Sequence, residues 1–352
     1  MERKKTIEFK IGNKIIGGNN RILIQSMSTH LPSDLDNCIK ECIELERAGA
    51  DIVRVAVKTK EDSIKIKELK KALSIPVVAD IHFNYELGIL AIENGVDKIR
   101  FNPGNIGSDD KLKALIDKCI EFDIPVRIGV NSGSIEKDLV DTSFSTVDKC
   151  VMSLKKYVEK VEKLGLKKIV LSVKLSNVLD TIEAYRKISK IYDYPLHIGL
   201  TESGIGDSAV IKSAIAIGSL INDGIGDTLR VSLTGSPIRE IYAAKDILKS
   251  LNLLDSPDLI SCPTCGRTEV NLEKYAKEID EFLKNVDKKI TVAVMGCLVN
   301  GPGEAKDADM GVAFISKKGV LFKKGKVVFK GSPRDAINEL KKEILAFWIN
   351  IK

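Results

Sequence analysis

The sequence predicts a (β/α)₈ barrel followed by a small α+β domain. From about residue 22 to residue 235, a short apolar strand, a polar loop and an amphipathic helix alternate eight times. Eight such units in about 210 residues agree with a barrel of this type, which typically needs about 250. The 352 residues also exceed one typical domain. We therefore expect one large domain and one small one.

The predicted barrel strands start about 20 to 45 residues apart. They are Ile22–Ser26, Ile52–Val57, Val77–Ile81, Lys98–Phe101, Val126–Val130, Ile169–Val173, Leu196–Leu200 and Thr228–Leu233. The helices predicted between them include Asp36–Ala48, Glu61–Ala72, Asp109–Glu121, Val147–Leu164 and Val178–Ile191. A doubly wound sheet is the alternative, but eight parallel strands would be many for it, so the pattern favours a barrel.

The domain boundaries follow from the same pattern. Residues 1–242 form the predicted barrel, residues 243–260 a connector, and residues 261–352 the small domain. The small domain should contain a helix over Leu272–Asn285, a strand over Ile290–Val294, a hairpin, and a closing helix over Pro333–Phe347. At about 90 residues it can just hold a core, and a bound metal would help to stabilise it.

Composition argues against nucleic-acid and membrane binding. The formal charge is +6 and aromatic residues make up 5%, whereas nucleic-acid binding favours a basic stripe with interleaved aromatics. The Lys-rich stretch 317–330 is the only candidate, and its pattern indicates strands with charged outer faces. No apolar run reaches the ~18 residues of a membrane span. Because the charged start, Met1–Lys5, passes directly into the strand-like Thr6–Ile11, we expect no signal peptide and a cytoplasmic protein.

Cations gather at the C-terminal ends of the predicted strands, where barrel enzymes place their chemistry. They are Arg54, Arg100, Arg127, Lys174 and Arg230. The other polar residues there are Asp80, His82, Asn102, Asn131, His197, Glu202 and Ser232. Five internal salt bridges would need more acid than Asp80, Glu202 and Asp227 provide, and unpaired buried charges destabilise a fold. Since arginine suits bidentate phosphate binding, a ligand such as a diphosphate would supply the missing charge.

Single residues and short motifs in this region are weaker signals. A lone histidine in a strand is more often a core residue than a catalyst, but Asp80 accompanies His82, and Glu202 accompanies His197. Residues 204–209 match G-x-G-x-x-A, which suggests a dinucleotide site. The match lies late in a barrel-type series rather than on a first βα turn, so a flexible loop is favoured.

The seven cysteines divide into two groups. In a chain without a secretion signal, clustered cysteines favour metal binding or catalysis over disulfides. Four are isolated on helical segments, where small core or surface residues are expected: Cys38, Cys42, Cys119 and Cys150. Cys262 and Cys265 instead form a C-x₂-C motif, and Cys297 follows after 31 intervening residues (297−265−1).

The second group favours an iron–sulfur cluster. Zinc would want a fourth Cys or His, and the only histidines, His30, His82 and His197, lie in the barrel. Three thiolates without a fourth soft ligand favour a [4Fe–4S] cluster, with Glu304 in the Gly301–Glu304 turn as the fourth ligand. Zinc and structural thiols remain alternatives. Asn300, just before the turn, either caps it or contacts substrate.

The motifs as a set resemble the 4-hydroxy-3-methylbut-2-enyl diphosphate synthase family. The similarity runs in order along nearly the whole chain, and the last two motifs are highly specific. The motifs are QSM (25–27), DIVRVAV (51–57), ADIHF (79–83), KIRFNPGNIG (98–107), RIGVNSGS (127–134), SVKLSN (172–177), HIGLTESG (197–204), DGIGDTLRVSLT (223–234), SCPTCGRT (261–268) and MGCLVNGPGE (295–304). Phe101 and Leu200 stand where we expect other apolar residues.

The resemblance implies a reaction, the reductive ring opening and dehydration of 2-C-methyl-D-erythritol 2,4-cyclodiphosphate in the non-mevalonate isoprenoid pathway. It also implies single electrons from flavodoxin or ferredoxin, a cluster domain like that of sulfite and nitrite reductases, and a homodimer in which this domain caps the partner's barrel. Glu202, just past the seventh strand and beside His197, is the expected acid for the dehydration, and His82 and Asp80 are the other expected catalytic residues. The expected diphosphate ligands are Arg54, Arg100, Asn102, Arg127, Asn131, Lys174, His197, Arg230, Ser232 and Asn300.

Two alternatives come from other functional classes. A barrel hydrolase or transferase with a structural zinc would keep the phosphate site without redox chemistry, and a metal-bound nucleic-acid module is the other. Colour separates the first from the favoured interpretation, since anaerobically purified protein should be brown with a cluster and colourless with zinc.

Overall fold

The structure, a computed structural model, describes residues 2–135, 139, 141–268, 270–286, 289–297, 308–315 and 317–347. The chain divides into two compact units, Met1–Leu253 and Leu254–Lys352. No helix among these residues is both long and apolar enough to cross a membrane.

The first unit begins with an antiparallel hairpin that the sequence indicated only in part. It consists of β1 (Thr6–Ile11) and β2 (Lys14–Gly18). Phe9, Ile11 and Ile16 pack in one buried cluster with residues near the starts of the barrel strands, such as Leu23 and Ile52. The hairpin therefore covers the N-terminal end of the barrel, opposite the end where chemistry is expected.

Eight parallel strands confirm the predicted barrel. They are β3 (Leu23–Met27), β4 (Ile52–Val57), β5 (Val77–Ile81), β6 (Lys98–Phe101), β7 (Val126–Asn131), β8 (Ile169–Lys174), β9 (His197–Ile198) and β10 (Thr228–Leu229). Their order is β8-β7-β6-β5-β4-β3-β10-β9. A single parallel bridge from Leu171 to Leu196 links the two outer strands, so the sheet nearly closes.

The last two strands are shorter than predicted. Ladder pairing in β9 and β10 stops after Ile198 and Leu229, although Arg230 N–H still donates to the Ile198 carbonyl at 3.1 Å. The residues beyond these points, which the apolar pattern assigned to strands, form the loops that carry the site.

One helix follows each barrel strand. They are α1 (Leu35–Ala48), α2 (Lys60–Ala72), α3 (Tyr85–Glu93), α4 (Asp109–Glu121), α5 (Thr146–Lys163), α6 (Val178–Ile191), α7 (Gly206–Asn222) and α8 (Pro237–Ser250). Side-chain caps fix several starts: Thr59 caps α2 in a capping box, and Ser145 and Asn177 cap α5 and α6. The five helices predicted by range agree with these bounds to within one residue.

The region predicted as a connector begins within a helix, as its helix-like sequence over Ala243–Leu251 indicates. Helix α8 packs against β3 and α1, so residues 243–250 belong to the barrel unit. A strand, β11 (Asp258–Ser261), occupies the end of the predicted connector. Its half-exposed, polar sequence gave no apolar alternation by which to recognise it.

The second unit contains a five-stranded mixed sheet in the order β11-β12-β13-β14-β15. The further strands are β12 (Thr291–Met295), β13 (Met310–Ile315), β14 (Lys318–Lys323) and β15 (Lys326–Gly331). Strands β11 to β13 are parallel, and β13 to β15 are antiparallel. Two helices, α9 (Leu272–Leu283) and α10 (Pro333–Ala346), share its buried core, which includes Ile279, Val312 and Leu340.

Candidate active site

A cavity of about 110 Å³ opens at the C-terminal ends of the barrel strands. Its lining is Arg54, Arg100, Arg127, Gly129, Val130, Asn131, Ser172, Lys174, Leu200, Thr201, Arg230 and Ser232. Seven of the ten residues predicted to bind diphosphate are in this set, including all five cations. The strands thus bring together side chains that lie up to 178 residues apart (232−54).

Asp80 is the acid between two of the cations. Its Oδ1 accepts a hydrogen bond from Arg100 Nη1 at 2.7 Å, and its Oδ2 lies 3.7 Å from Arg54 Nε. Burial alone would raise the pKa of Asp80, but the charges of Arg54 and Arg100 and a hydrogen bond with His82 hold that pKa well below its usual range. Asp80 is therefore ionised, which makes it a group that positions the two arginines rather than a proton donor.

Arg230 has an acidic partner that the sequence did not reveal. Its Nε lies 3.0 Å from Glu240 Oε2, and its Nη2 lies 3.1 Å from Glu240 Oε1. Glu240 is only 3% exposed, stands in the first turn of α8, and also accepts the backbone N–H of Leu233 at 3.0 Å. The sequence shows Glu240 ten residues after Arg230. This spacing alone does not indicate that the two side chains meet at the cavity.

Arg127 and Lys174 form no ion pair with any described acid. Arg127 is 3% exposed, and its Nε and Nη1 atoms are buried without a described hydrogen-bond partner. Burial, followed by the charges of Arg54 and Arg100, pushes the pKa of Arg127 well below its usual range. The Lys174 ammonium lies 3.5 Å from His197 Nε2. Among the residues that the structure describes, the five cations thus share two carboxylates, an excess of three positive charges (5−2).

A glycine makes room for the Lys174 ammonium. A Cβ added at Gly199 would lie 2.8 Å from Lys174 Nζ and 2.4 Å from the carbonyl oxygen of Arg230. Both distances are too short for a side chain, so this position accepts only glycine without displacement of the site.

A sixth basic residue, Lys98, lies deeper in the barrel and was not predicted as a site residue. It is fully buried at the first position of β6, and its Nζ donates to Gln25 Oε1 at 3.3 Å. Burial, then the charges of Arg127 and Arg54, lowers the pKa of Lys98 well below its usual range. It was missed because it stands at the N-terminal end of its strand, where no ligand contact is expected.

Two of the predicted diphosphate ligands, His197 and Asn102, are buried residues. His197 is fully buried, with Nδ1 2.8 Å from Thr228 Oγ1, and its carbonyl accepts a hydrogen bond from Tyr185 at 2.5 Å. Burial and the Lys174 charge lower the pKa of His197 well below its usual range, so the ring is neutral. Asn102 is buried and accepts the Gly104 N–H at 3.2 Å. Neither residue lines the cavity.

The remaining predicted catalytic residues are accessible. The side chain of His82 is 46% exposed, and its Nε2 lies 3.5 Å from Asp80 Oδ2 and 3.3 Å from Arg100 Nη1. Glu202 is exposed and adopts a left-handed φ of +52°, which is unusual for a residue other than glycine. It directly follows Leu200 and Thr201, which line the cavity.

The second cysteine group lies at one end of the sheet in the second unit. Cys262 directly follows β11, and Cys297 is the second residue after the neighbouring parallel strand β12. The Gly296 N–H donates to Cys262 Sγ at 3.1 Å. A Cβ at Gly296 would lie 2.9 Å from Thr268 Oγ1, so glycine allows the loop after β12 to approach the loop that contains Cys265.

These thiols suit a soft metal centre. Hydrogen bonds from Arg267 lower the pKa of the exposed Cys265 thiol, which favours the thiolate that metals bind. No three His, Cys, Asp or Glu side chains converge on one point within the described residues. The predicted fourth ligand Glu304 and the neighbouring Asn300 lie outside those residues. The other four cysteines are fully buried, as expected for core positions.

Comparison with solved structures supports the barrel fold. A dihydropteroate synthase from Stenotrophomonas maltophilia matches with a TM-score of 0.53 and 16% identity, over 70% of this chain and 97% of that one. A type I 3-dehydroquinate dehydratase from Clostridium difficile matches with a TM-score of 0.52 and 18% identity, over 70% and 97% of the two chains. At such identities the likeness concerns the fold alone.

Sequence comparison is far more specific. The 4-hydroxy-3-methylbut-2-en-1-yl diphosphate synthase (flavodoxin) of Caldanaerobacter subterraneus is 50% identical over 344 residues, 97% of each chain. The synthases of the same name from Fusobacterium nucleatum and Clostridium tetani are 49% and 48% identical over 346 residues, which cover at least 98% of each chain. Residues 6–245 match the GcpE TIM-barrel domain, and residues 258–346 match the GcpE protein C-terminal domain. The chain therefore belongs to the GcpE family.

Proposed function

We propose that this chain forms 4-hydroxy-3-methylbut-2-enyl diphosphate from 2-C-methyl-D-erythritol 2,4-cyclodiphosphate, and that the barrel cavity binds the diphosphate of the substrate. As a member of its family the chain is an oxidoreductase of the non-mevalonate isoprenoid pathway. The excess of three positive charges over carboxylates in the cavity is the observation that supports the binding site. A diphosphate would supply the negative charge that the described residues lack.

The five cations fall into two groups, those without a described acidic partner and those held by a carboxylate. Arg127 and Lys174 form no ion pair with a described acid. They can therefore contact phosphate oxygens without first breaking an existing ion pair. Asp80 and Glu240 hold Arg54, Arg100 and Arg230 in place before the ligand arrives. Such preorganisation reduces the entropy lost on binding. Asn131 and Ser232 add uncharged hydrogen-bonding groups to the same lining.

We further propose that Cys262, Cys265 and Cys297 hold a [4Fe–4S] cluster, with Glu304 as its fourth ligand. When bound, such a cluster would supply single electrons and a Lewis-acidic iron. The chain supports it through the Gly296 N–H, which donates to a ligand sulfur, and through Arg267, which favours the Cys265 thiolate. The sheet that carries these loops would then resemble the cluster domain of sulfite and nitrite reductases.

The dehydration also needs a proton, because hydroxide is a poor leaving group. We assign this role to Glu202, with His82 as the second candidate, since both are exposed beside cavity residues. Asp80 stays ionised and keeps Arg54 and Arg100 in position.

The proposal also covers the cellular location and the assembly of the protein. We infer a cytoplasmic location, where thiols stay reduced, because the proposed cluster needs reduced cysteines as ligands. We also infer the homodimer that the family resemblance implies, in which the second unit of one subunit caps the barrel of the other.

Single Cys→Ser replacements test the function and the cluster together. Cys262→Ser, Cys265→Ser or Cys297→Ser should each lose the visible absorbance of anaerobically reconstituted protein and its turnover of the cyclic diphosphate. Cys119→Ser is the matched control, because Cys119 is buried in α4 of the barrel unit and far along the chain from the motif. Full iron content in any of the first three variants would overturn the ligand assignment.

A further inference from the structure

The Lys-rich stretch 317–330 has no role in the function described so far. Within it, Lys317, Lys318 and Lys330 are exposed and form no ion pair with any described residue. We call these three residues the cysteine-side lysines, because strand register places them at the end of the sheet where the cysteines lie.

The register is continuous across the sheet. Met295, two residues before Cys297, pairs with Ala313, which pairs with Val320, which pairs with Lys330. Lys318 begins β14 at the same end, opposite Ile315, the last residue of β13. With about 4.8 Å between neighbouring strands, Lys330 lies about 14 Å across the sheet from the line of β12. The lysines of β14 and β15 therefore lie at the same end of the sheet as the cysteines, about 10 to 14 Å across the sheet from the line of β12.

The opposite end of the same hairpin differs in its surroundings. Lys323 forms an ion pair with Glu343, and Lys324 and Lys326 flank the turn between β14 and β15. Strand β15 spans five residues between Lys326 and Lys330, so the two groups of lysines lie about 13 Å apart. This second group carries comparable charge at a greater distance from the cysteines.

The only acid described close to the cysteine-side lysines in sequence is already engaged. Asp335 accepts a hydrogen bond from Ser332 Oγ at 2.6 Å at the start of α10. Arg267, on the loop that follows Cys265, is exposed and adds positive charge at the end of the sheet where the cysteines lie. The exposed lysines without an ion pair at this end of the sheet, among the described residues, therefore carry positive charge.

We propose that the cysteine-side lysines form the docking surface for the electron donor, a flavodoxin with an acidic face. This inference rests on the proposed function, and the donor class is the one printed in the names of the relatives. Electron transfer weakens steeply with distance, so a donor must bind beside the cluster loops. Charged residues on such a contact chiefly accelerate association and make it depend on salt.

A simpler explanation concerns the edge of the sheet. β15 is an edge strand with Val327 and Val328 half exposed, and edge lysines often prevent strands of different copies from pairing. That role would apply to both ends of β15 alike, whereas docking requires only the cysteine-side lysines. A comparison of the two ends therefore separates the explanations.

The test variant combines Lys317→Gln, Lys318→Gln and Lys330→Gln in the reconstituted holoenzyme. The control combines Lys324→Gln with Lys326→Gln on the same hairpin. Turnover is measured with reduced flavodoxin at several ionic strengths, and separately with dithionite, which needs no protein docking. Binding of oxidised flavodoxin is measured by calorimetry, which does not depend on turnover, and oligomeric state by sedimentation.

We expect the triple variant to raise the KM for flavodoxin and its Kd on the order of tenfold, as for a few exposed ion pairs. Its salt dependence should be weaker, and its dithionite-driven turnover and oligomeric state unchanged, while the control resembles wild type. Equal effects in both variants, no effect in either, a parallel loss with dithionite, or a change of oligomeric state would each overturn the proposal. Absence of turnover in wild type with both reductants would instead reject the proposed function, and calorimetry would still test the docking surface.

Discussion

Arg230 and Glu240 form a bidentate ion pair beside the cavity, with Nε 3.0 Å from Oε2 and Nη2 3.1 Å from Oε1. The pair joins the loop after β10 to the first turn of α8. Glu240 is 3% exposed, so solvent and salt screen the ion pair only weakly. The guanidinium is therefore fixed before any ligand binds.

Removal of the Glu240 carboxylate should lower the free energy of unfolding, because the cationic cavity then lacks one of its compensating charges. Glu240→Gln leaves Arg230 without a charged partner, and breaking a buried pair in this way typically costs about 3–5 kcal/mol. We expect a loss of that order in the free energy of unfolding of the barrel, measured with urea. Inorganic pyrophosphate should recover part of the loss, because it supplies negative charge to the same arginine. A loss below about 1 kcal/mol, with or without pyrophosphate, would show that the pair is not needed.

Replacement of Arg127 should not lower the free energy of unfolding, in contrast to replacement of Glu240. It has no described acid to lose, so Arg127→Met removes a buried charge that is not compensated. The unliganded barrel should be unchanged or more stable by about 1–2 kcal/mol, whereas substrate affinity should fall by about 1.5–3 kcal/mol.

The same affinity loss is expected when Arg54, Arg100 or Lys174 is replaced with Met, with the visible spectrum retained. Arg21→Met is the control, since Arg21 is a half-exposed residue whose partner, Asp51, precedes β4 rather than lining the cavity. Unchanged affinity in all four cavity variants would place the anion site elsewhere.

His197 should make barrel stability depend on pH. Burial and Lys174 lower its pKa in the folded state well below the ordinary 6.5. The unfolded chain therefore binds more protons at this residue between the two pKa values, and the free energy of unfolding must fall as pH falls below about 6.5. One proton contributes up to about 1.4 kcal/mol per pH unit.

His197→Asn keeps a donor near Thr228 Oγ1 but cannot be protonated, so its stability should fall less between pH 6.5 and 5. His30→Asn is the matched control, because the His30 ring is 41% exposed. Urea unfolding at half-unit pH intervals provides the measurement. Identical slopes for wild type and His197→Asn would mean that the buried imidazole does not titrate in this window.

Much of the barrel follows from local pattern. The alternation of strands and helices predicts all eight barrel strands, because each unit must bury its apolar side against the next. Chemistry at the C-terminal ends then identifies the five cations that line the cavity. The sequence predicts where the side chains of Arg54, Arg100 and Arg127 lie, because side chains alternate between the two faces of a strand and a polar loop marks the end of each strand.

What the sequence could not predict depends on how elements pack. Glu240 lies on a helix, and only the packing of α8 against β3 brings its carboxylate to Arg230. Arg230 therefore has an acidic partner that the sequence did not reveal, whereas Arg127 and Lys174 have none among the described residues. Lys98 and Gln25 form a pair across the barrel interior, between strands 73 residues apart, which no local pattern specifies.

Glu202 lies on a loop that is anchored on both sides. Ser203 Oγ donates to the Ser232 carbonyl, and Thr234 N–H donates to the Gly204 carbonyl at 3.1 Å. These bonds connect the loops after β9 and β10, both of which contribute residues to the cavity. The left-handed φ of Glu202 is thus fixed by its neighbours, and strained backbone of this kind is typical of functional positions.

Glu202→Gln separates a proton-donating role from simple charge balance. The amide keeps the shape and hydrogen-bonding capacity of the carboxyl group, but it has no proton to give. If Glu202 is the acid, turnover should fall by about 10²–10⁴-fold, with near-normal substrate affinity and an unaltered visible spectrum. If it only balances the cations, affinity should change more than turnover, because loss of ground-state binding changes KM rather than kcat. Asp207→Asn is the control, since Asp207 is an exposed acid in the first turn of α7, paired with Arg239. Normal turnover in Glu202→Gln would eliminate this residue as the acid and leave His82, whose ring is half exposed beside Asp80 and Arg100.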